Sequence, residues 1–138
     1  MPDRTLAIIK PDTVANHKAG AIIAMIEEKG FQILGLRMVT QTSDQARAFY
    51  EVHKERPFYD SLVTFMSSGP VVVMCLQRQD AVSQWRELMG ATDPAKAGPG
   101  TVRALYGDSI EHNAAHGSDS AKNAAAEVGF FFSESELT

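Results

Sequence analysis

Apolar segments along the chain predict three strands. Residues 5–9 and 71–76 are mostly or wholly apolar, and the unbroken character of the second run is typical of a strand buried on both faces. Residues 31–39 alternate well enough to predict another strand. Pro11 follows the first run and is expected to interrupt it, because proline has no N–H to donate to a neighbouring strand.

Helical patterns lie between and after these strands, over residues 21–29, about 43–52, about 60–66 and 81–89. Thr42 and Gln45 form a capping box at the start of the second helix. Asp80 is placed to cap the fourth. Gly30 and Gly90 are placed to end the first and the fourth, since glycine is a common helix terminator.

The last third of the chain has a different character. Residues 91–112 are punctuated by glycine, proline and aspartate and predict a long loop, which in a compact domain is usually functional or disordered. A short strand and a last helix follow. Ser118 or Ser120 can cap that helix, and the three phenylalanines at 130–132 are expected to pack or pair after it.

The resulting order is β-α-β-α-α-β-α-loop-β-α, which predicts an α/β sandwich. A split βαββαβ arrangement and a small doubly wound fold are both compatible with this order. The length of 138 residues favours one domain. The net charge of −4 disfavours a nucleic-acid scaffold, because no basic excess is available to neutralise phosphates.

Cysteine usage and the apolar runs restrict the class of protein further. Cys75 is the only cysteine and lies in an apolar run, so we expect a buried thiol without a disulfide or a cysteine-held metal. The N-terminal residues lack a secretory signal pattern, and no apolar run approaches the length of a membrane span. A cytoplasmic protein without a membrane segment is therefore expected.

Residues 113–120 carry the clearest chemical signal. His116 is a candidate nucleophile, since a neutral imidazole is nucleophilic near neutral pH. Gly117 is expected to permit close approach from one side. Ser118 and Asp119 are expected to start a helix whose free N–H groups would favour a bound phosphate. An ordinary capped helix beside a surface histidine is also compatible with these residues.

The pattern Asn-x-x-His-Gly-Ser-Asp, at residues 113–119, resembles the signature of nucleoside diphosphate kinases. Further matching segments occur in the family's order and at its spacing, at residues 8–12, 56–59, 68–71, 88–94 and 99–103. One motif can arise by chance, whereas this set spans nearly the whole chain and is very specific. The chain is therefore identified as a member of that family.

The resemblance implies one kinase domain over residues 1–138, of α/β (α+β) class. Its ferredoxin-like βαββαβ core would be a four-stranded antiparallel sheet covered by helices, with a long active-site loop at about 91–112. It implies ping-pong transfer of the γ-phosphate from a nucleoside triphosphate to a diphosphate through a phosphohistidine at His116. A catalytically silent binding module of the same fold is the alternative. Such relatives usually lose the histidine or a phosphate-binding arginine, and His116, Arg86 and Arg103 are all present.

The resemblance also assigns the partners of His116. It places phosphate contacts on Arg86, Thr92 and Arg103, as arginine forks and a hydroxyl suit phosphate oxygens. It places sugar contacts on Lys10 and Asn113, with Lys10 also touching phosphate. It assigns base binding to Phe58, Leu62 and Ile110. It places Tyr50 beside His116 and Lys10, and it makes Glu127 the acid that orients the imidazole.

Several further expectations follow from the resemblance. Mg²⁺ should arrive bound to the phosphates of ATP and other nucleotides, with no metal site held by the protein. Base selectivity should be low, because stacking on Phe58 accepts any base. The short C-terminal segment implies a homo-oligomer, either a tetramer or a hexamer. Trp85 stands where relatives commonly carry polar residues. His17, His53 and His112 are expected to be surface or structural.

Overall fold

The computed structural model describes residues 2–138, which form four strands and seven α-helices. None of these helices is long and apolar enough to cross a membrane. In chain order the elements are β1 (Asp3–Ile9), α1 (Pro11–Ala15), α2 (Ala19–Glu28), β2 (Gln32–Val39), α3 (Ser43–Phe49), α4 (Tyr59–Met66), β3 (Val71–Arg78), α5 (Ala81–Met89), α6 (Val102–Tyr106), β4 (Ala115–Gly117) and α7 (Ala121–Phe131).

The strands form one sheet in the order β2-β3-β1-β4, and every neighbouring pair is antiparallel. This confirms the four-stranded antiparallel sheet of the split βαββαβ arrangement. It excludes the doubly wound alternative, which requires parallel strands. The two inner strands are β3 and β1, while β2 and β4 form the edges.

Helices cover both faces of the sheet, so β1 and β3 each contribute to two cores. Successive side chains of a strand point to opposite faces. Ala7 and Ile9 therefore pack with residues of α2 and α5, whereas Leu6 and Ile8 pack with residues of α4 and α7. All six residues from Val71 to Leu76 are buried, which confirms the predicted burial of β3 on both faces. Cys75 is among them, as expected.

The structure differs from the sequence expectations at several element boundaries. Pro11 ends β1 as expected, but it also begins α1, because proline fits the first helical position, where no N–H is needed. The capping box at Thr42 and Gln45 is present, although α3 ends at Phe49 rather than near residue 52. The segment 91–112 contains α6. The prediction that residues 130–132 follow the last helix is wrong, since α7 continues through Phe131.

The C-terminal residues pack on the edge strand β2. The ring of Phe132 lies over Gly35, next to a bulge in the pairing of β2 with β3. The guanidinium of Arg37 donates to the carbonyl of Phe131 at 2.6 Å and lies 5.6 Å from the centre of the Phe132 ring. The backbone N–H of Thr138 donates to a β2 carbonyl at 3.1 Å. These contacts require that residue 35 have no side chain.

We predict that Gly35→Ala destabilises the protein, since the added Cβ would lie 2.9 Å from a Phe132 ring carbon. Overpacking of this kind costs about 1–3 kcal/mol. The matched control is Gly129→Ala in α7, whose Cβ would meet no atom within 4 Å and which should gain about 0.5–1 kcal/mol from helix propensity. Urea unfolding, at the same protein concentration for each protein, measures the free energy of unfolding of the two variants and the wild type. Equal stability of the two variants would contradict the prediction.

Candidate active site

His116 lies at the centre of β4, and the pairing with β1 determines where its ring points. His116 is the cross-strand partner of Ile8, and such partners share one face of a sheet. The imidazole therefore faces the side covered by α7, where Phe49 and Tyr50 lie 5.4 and 6.0 Å from it, centre to centre. Its neighbour Gly117 faces α5 instead.

One carboxylate holds the imidazole. The Nε2 atom of His116 lies 2.8 Å from Oε1 of Glu127, and the Ser118 hydroxyl donates to the same oxygen at 2.8 Å. A carboxylate only accepts hydrogen bonds, so in the neutral imidazole Nε2 is the donor to Glu127 and Nδ1 is the nitrogen with the free lone pair. The Ser118 hydroxyl also accepts the Leu6 N–H at 3.3 Å. Helix α7 thus brings Glu127 to His116, although the spacing of the two residues had given no indication of this.

The expectation that Ser118 and Asp119 start a helix is wrong. Helix α7 begins at Ala121, and Ser120 is the residue that caps it. Ser118 is instead completely buried between β1 and Glu127. Its role as a partner of Glu127 was missed, because a serine before a helix is also a common cap.

Gly117 is required for packing against α5. A Cβ at Gly117 would lie 2.7 Å from Cδ1 of Trp85 and would also collide with Met89. The space beside Gly117 is therefore filled by Trp85, and the expectation that it is open to a substrate is wrong. Trp85 is completely buried, and its indole N–H donates to the carbonyl of His116 at 3.1 Å.

A strained turn precedes His116. Ala114 is buried with φ of 76°, in the left-handed region that non-glycine residues rarely adopt. The N–H of Ala115 donates to the carbonyl of Asn113 at 2.9 Å, which closes a three-residue γ-turn around Ala114. The Ala114 carbonyl accepts the backbone N–H of Lys10 at 2.9 Å. The turn is thereby attached to the end of β1.

Two buried cations lie beside this turn. Lys10 and Arg103 are each only 7% exposed. Burial, together with the charge of Arg103, lowers the pKa of Lys10 to about 8. Burial and the charge of Arg86 lower the pKa of Arg103 to about 10. The Lys10 ammonium donates to the Glu111 carbonyl at 3.1 Å. Because both side chains are buried, neither is the solvated surface residue that its position in the sequence alone would suggest.

Arg103 connects the segments that surround His116. Its guanidinium donates to the carbonyls of Gly90 and Ala115 at 3.0 and 2.9 Å. The Asn113 amide donates to the Thr92 carbonyl at 3.0 Å, which ties the start of the 91–112 segment to the same turn. The charge of Arg86 contributes to the lowered pKa of Arg103, and both Arg86 and Thr92 are exposed.

Three buried polar atoms of these residues have no hydrogen-bond partner within residues 2–138. They are the Tyr50 hydroxyl, Nε of Arg103 and Oδ1 of Asn113. Leaving such atoms unpaired costs about 1–3 kcal/mol each, so each calls for an explanation. Burial, and to a lesser extent Glu127, raises the pKa of Tyr50, so its hydroxyl keeps a proton to donate.

The expected base-binding side chains lie on α4 and on the segment that leads to β4. Phe58, at the residue before α4, and Ile110 are 46% and 61% exposed, respectively, and Leu62 is half-buried. The Ser61 hydroxyl donates to the Glu111 carboxylate at 2.9 Å. This bond holds the segment that carries Ile110 against the helix that carries Leu62.

The other three histidines do not take part in the hydrogen bond between His116 and Glu127. His112 stacks on Phe65 with ring centres 4.0 Å apart, and His53 lies 5.5 Å from the ring of Phe58. His17 is exposed at the end of α1. Across residues 2–138, no three side chains of the acidic, histidine or cysteine types group as ligands for a metal ion.

Comparison with known proteins agrees with this geometry. The family model described as nucleoside diphosphate kinase matches residues 3–137. This chain belongs to the nucleoside diphosphate kinase family. Nucleoside diphosphate kinase 1 of Protochlamydia amoebophila is 54% identical over 136 residues, covering 99% of this chain and 96% of the relative. The Chlorobium limicola enzyme is 54% identical over 98% of this chain and 96% of its own.

Solved structures of the family superpose closely. The Aquifex aeolicus nucleoside diphosphate kinase has a TM-score of 0.98 at 42% identity, with both chains fully covered. The Halobacterium salinarum enzyme, solved in complex with CDP, has a TM-score of 0.95 at 38% identity, covering 100% of this chain and 92% of its own. The protein is accordingly a phosphotransferase that acts between nucleoside triphosphates and diphosphates.

We predict that nucleotide binding takes up a proton above about pH 8, because Lys10 loses its charge as the pH rises through its lowered pKa of about 8. A bound phosphate favours the charged form and raises that pKa again. Calorimetry with ADP in buffers of different ionisation enthalpy measures the uptake, which should be small near pH 7. Lys10→Arg, whose charge persists, should show less uptake. Equal uptake near pH 7 and above pH 8 would contradict the prediction.

Proposed function

We propose that the enzyme works by a ping-pong mechanism in which Nδ1 of His116 accepts the γ-phosphate. The observation that carries this proposal is the 2.8 Å contact of Nε2 with Glu127, which leaves Nδ1 as the nucleophilic nitrogen. As the bond from nitrogen to phosphorus forms, the bond from phosphorus to the β,γ-bridging oxygen breaks and the diphosphate leaves. A second diphosphate then takes the phosphate in the reverse step, so one site serves both substrates.

The buried polar groups suit a phosphorylated ligand. We propose that Arg86, Thr92 and Arg103 hold phosphate oxygens and that Lys10 holds both sugar and phosphate. Two desolvated cations and a protonated phenol offer donors whose strength increases in a site from which water is excluded. We assign the unpartnered Tyr50 hydroxyl to the same task, beside His116. Glu127 orients the imidazole and stabilises the cationic ring that forms on phosphorylation.

The sugar and the base would occupy the outer part of the site. We propose that Asn113, whose Oδ1 lacks a partner, accepts a sugar hydroxyl. The base would stack on Phe58 and be flanked by Leu62 and Ile110. Exposed apolar surfaces of this kind bind through area and π-stacking, which distinguish bases weakly.

Mg²⁺ is the divalent cation that we propose for the reaction, bound through the nucleotide's own phosphates. The donor set fits this arrangement, since the residues assigned to phosphate are cations or hydroxyls and no cluster of ligand residues occurs within residues 2–138. Mg²⁺ held in this way would supply positive charge to neutralise the phosphates, beside Arg86 and Arg103.

We further propose that residues 1–138 form one kinase domain that assembles as a cytoplasmic homo-oligomer, either a tetramer or a hexamer. The edge strand β2 supports assembly with a second copy. Among residues 2–138 it has a sheet neighbour on one side only; Thr138 reaches it at the Leu34 carbonyl, and Leu36 and Met38 further along it are 47% and 61% exposed. Unpaired edges with apolar side chains are surfaces on which further chains pair.

We predict that wild-type protein incubated with Mg²⁺ and γ-labelled ATP, without an acceptor, takes up an acid-labile and alkali-stable label. His116→Ala should lose the label and nearly all turnover, because no other nitrogen replaces Nδ1. His17→Asn is the matched control, since it removes an exposed histidine at positive φ and asparagine tolerates that conformation. An unlabelled wild type, or equal labelling of His116→Ala, would refute the mechanism.

We predict that kcat/KM for ADP, GDP, CDP and UDP as acceptors falls within about tenfold, as expected for binding by stacking. Phe58→Ala should raise KM about tenfold for all four acceptors, since one stacking contact contributes about 1–3 kcal/mol. Val52→Ala, at a side chain that is 83% exposed, should leave all four KM values unchanged. Steady-state kinetics measures these values, and a spread of several orders of magnitude among bases would defeat the stacking argument.

A further inference from the structure

The strand that carries the nucleophile is weakly held by the sheet. β4 has three residues and only β1 as a neighbour. A short edge strand has few ladder hydrogen bonds, and such regions open most readily in folded proteins. Phosphoryl transfer depends on positioning, and small displacements of a nucleophile are costly. Some contact outside the sheet must therefore restrain His116.

Trp85 supplies a contact of that kind. Its indole N–H donates to the His116 carbonyl at 3.1 Å, and its ring lies against Gly117 so closely that no Cβ would fit there. Trp85 is completely buried and meets the Phe31 ring edge-on, at 6.5 Å and 86°. An indole held in this way has little freedom, so the donor position is defined by the packing of α5.

The same helix presents the next residue to the ligand. Arg86 follows Trp85 on α5 and lies close enough to Arg103 to lower its pKa. One rigid element thus restrains the backbone of the nucleophile and carries a cation assigned to phosphate. We infer that Trp85 is a positioning residue, which aligns His116 with the phosphate site through its hydrogen bond to the His116 carbonyl. This inference rests on the phosphohistidine mechanism proposed above.

A role in the core alone would have different consequences. Trp85 belongs to the apolar cluster between the sheet, α2 and α5, so its loss would reduce stability whether or not it positions His116. Trp85→Phe removes the donor and keeps an aromatic ring. Replacement of Trp85 by 3-benzothienylalanine exchanges the N–H for sulfur with nearly the same shape. Ile26→Val is the control, since Ile26 is a completely buried residue of the same cluster on α2 and its shortening leaves the edge-on contact between Phe31 and Trp85 in place.

The experiment measures single-turnover phosphorylation of His116 by γ-labelled ATP, the KM for ATP and the urea midpoint for each protein. We expect Trp85→Phe and the benzothienyl variant to slow phosphorylation about tenfold, with KM changed less than about threefold, because alignment acts on the chemical step. Ile26→Val should keep the rate within about twofold even where its urea midpoint falls.

Each outcome has a defined meaning. Wild-type rates in the benzothienyl variant would overturn the inference while leaving the phosphohistidine mechanism intact, as would an equal loss of rate in Ile26→Val. A rise in KM without a slower chemical step would also overturn it, because the effect would then lie in phosphate binding through Arg86. Failure of the wild type to take up label would instead refute the mechanism itself. If Trp85→Phe does not fold, the benzothienyl variant alone decides.

Discussion

The pairing of β1 with its two neighbours is the constraint on which the rest of the structure depends. β1 is covered on both faces and bonded on both edges. Its register with β4 turns the ring of His116 towards Glu127, and a slip of one residue would turn it to the opposite face. The end of β1 places Lys10 against the strained turn before His116. The core and the site are therefore fixed by the same set of hydrogen bonds.

The electrostatics of the site suit a ligand that the folded chain lacks by itself. Lys10 and Arg103 are charged groups in desolvated surroundings, and burial lowers the pKa of both. Tyr50 and Asn113 add buried polar atoms without partners. Each feature alone destabilises the protein. Under the function proposed above, they would serve as donors and an acceptor for phosphate and sugar that need little rearrangement when the nucleotide binds.

Sequence patterns predicted the long regular elements, because unbroken or periodic burial leaves a clear signature in β3, α2 and α5. They missed α1, which is too short to show a period. Composition and spacing gave no link between His116 and Glu127, since a helix brings them together across eleven positions. The family resemblance supplied that pair. Neither the sequence patterns nor the resemblance predicted the hydrogen bond of Ser118 to Glu127 or that of Trp85 to the His116 carbonyl. Both contacts depend on how β4 packs against its surroundings.

The γ-turn at Ala114 bears on how the protein tolerates mutation. A buried non-glycine residue at positive φ costs about 1–3 kcal/mol, against a total folding stability of about 5–15 kcal/mol for a typical domain. The turn two residues before His116 thus removes a sizeable share of the margin that absorbs mutations elsewhere. The apolar cores should consequently tolerate fewer substitutions than their burial alone would allow, since their packing must offset the cost of this turn.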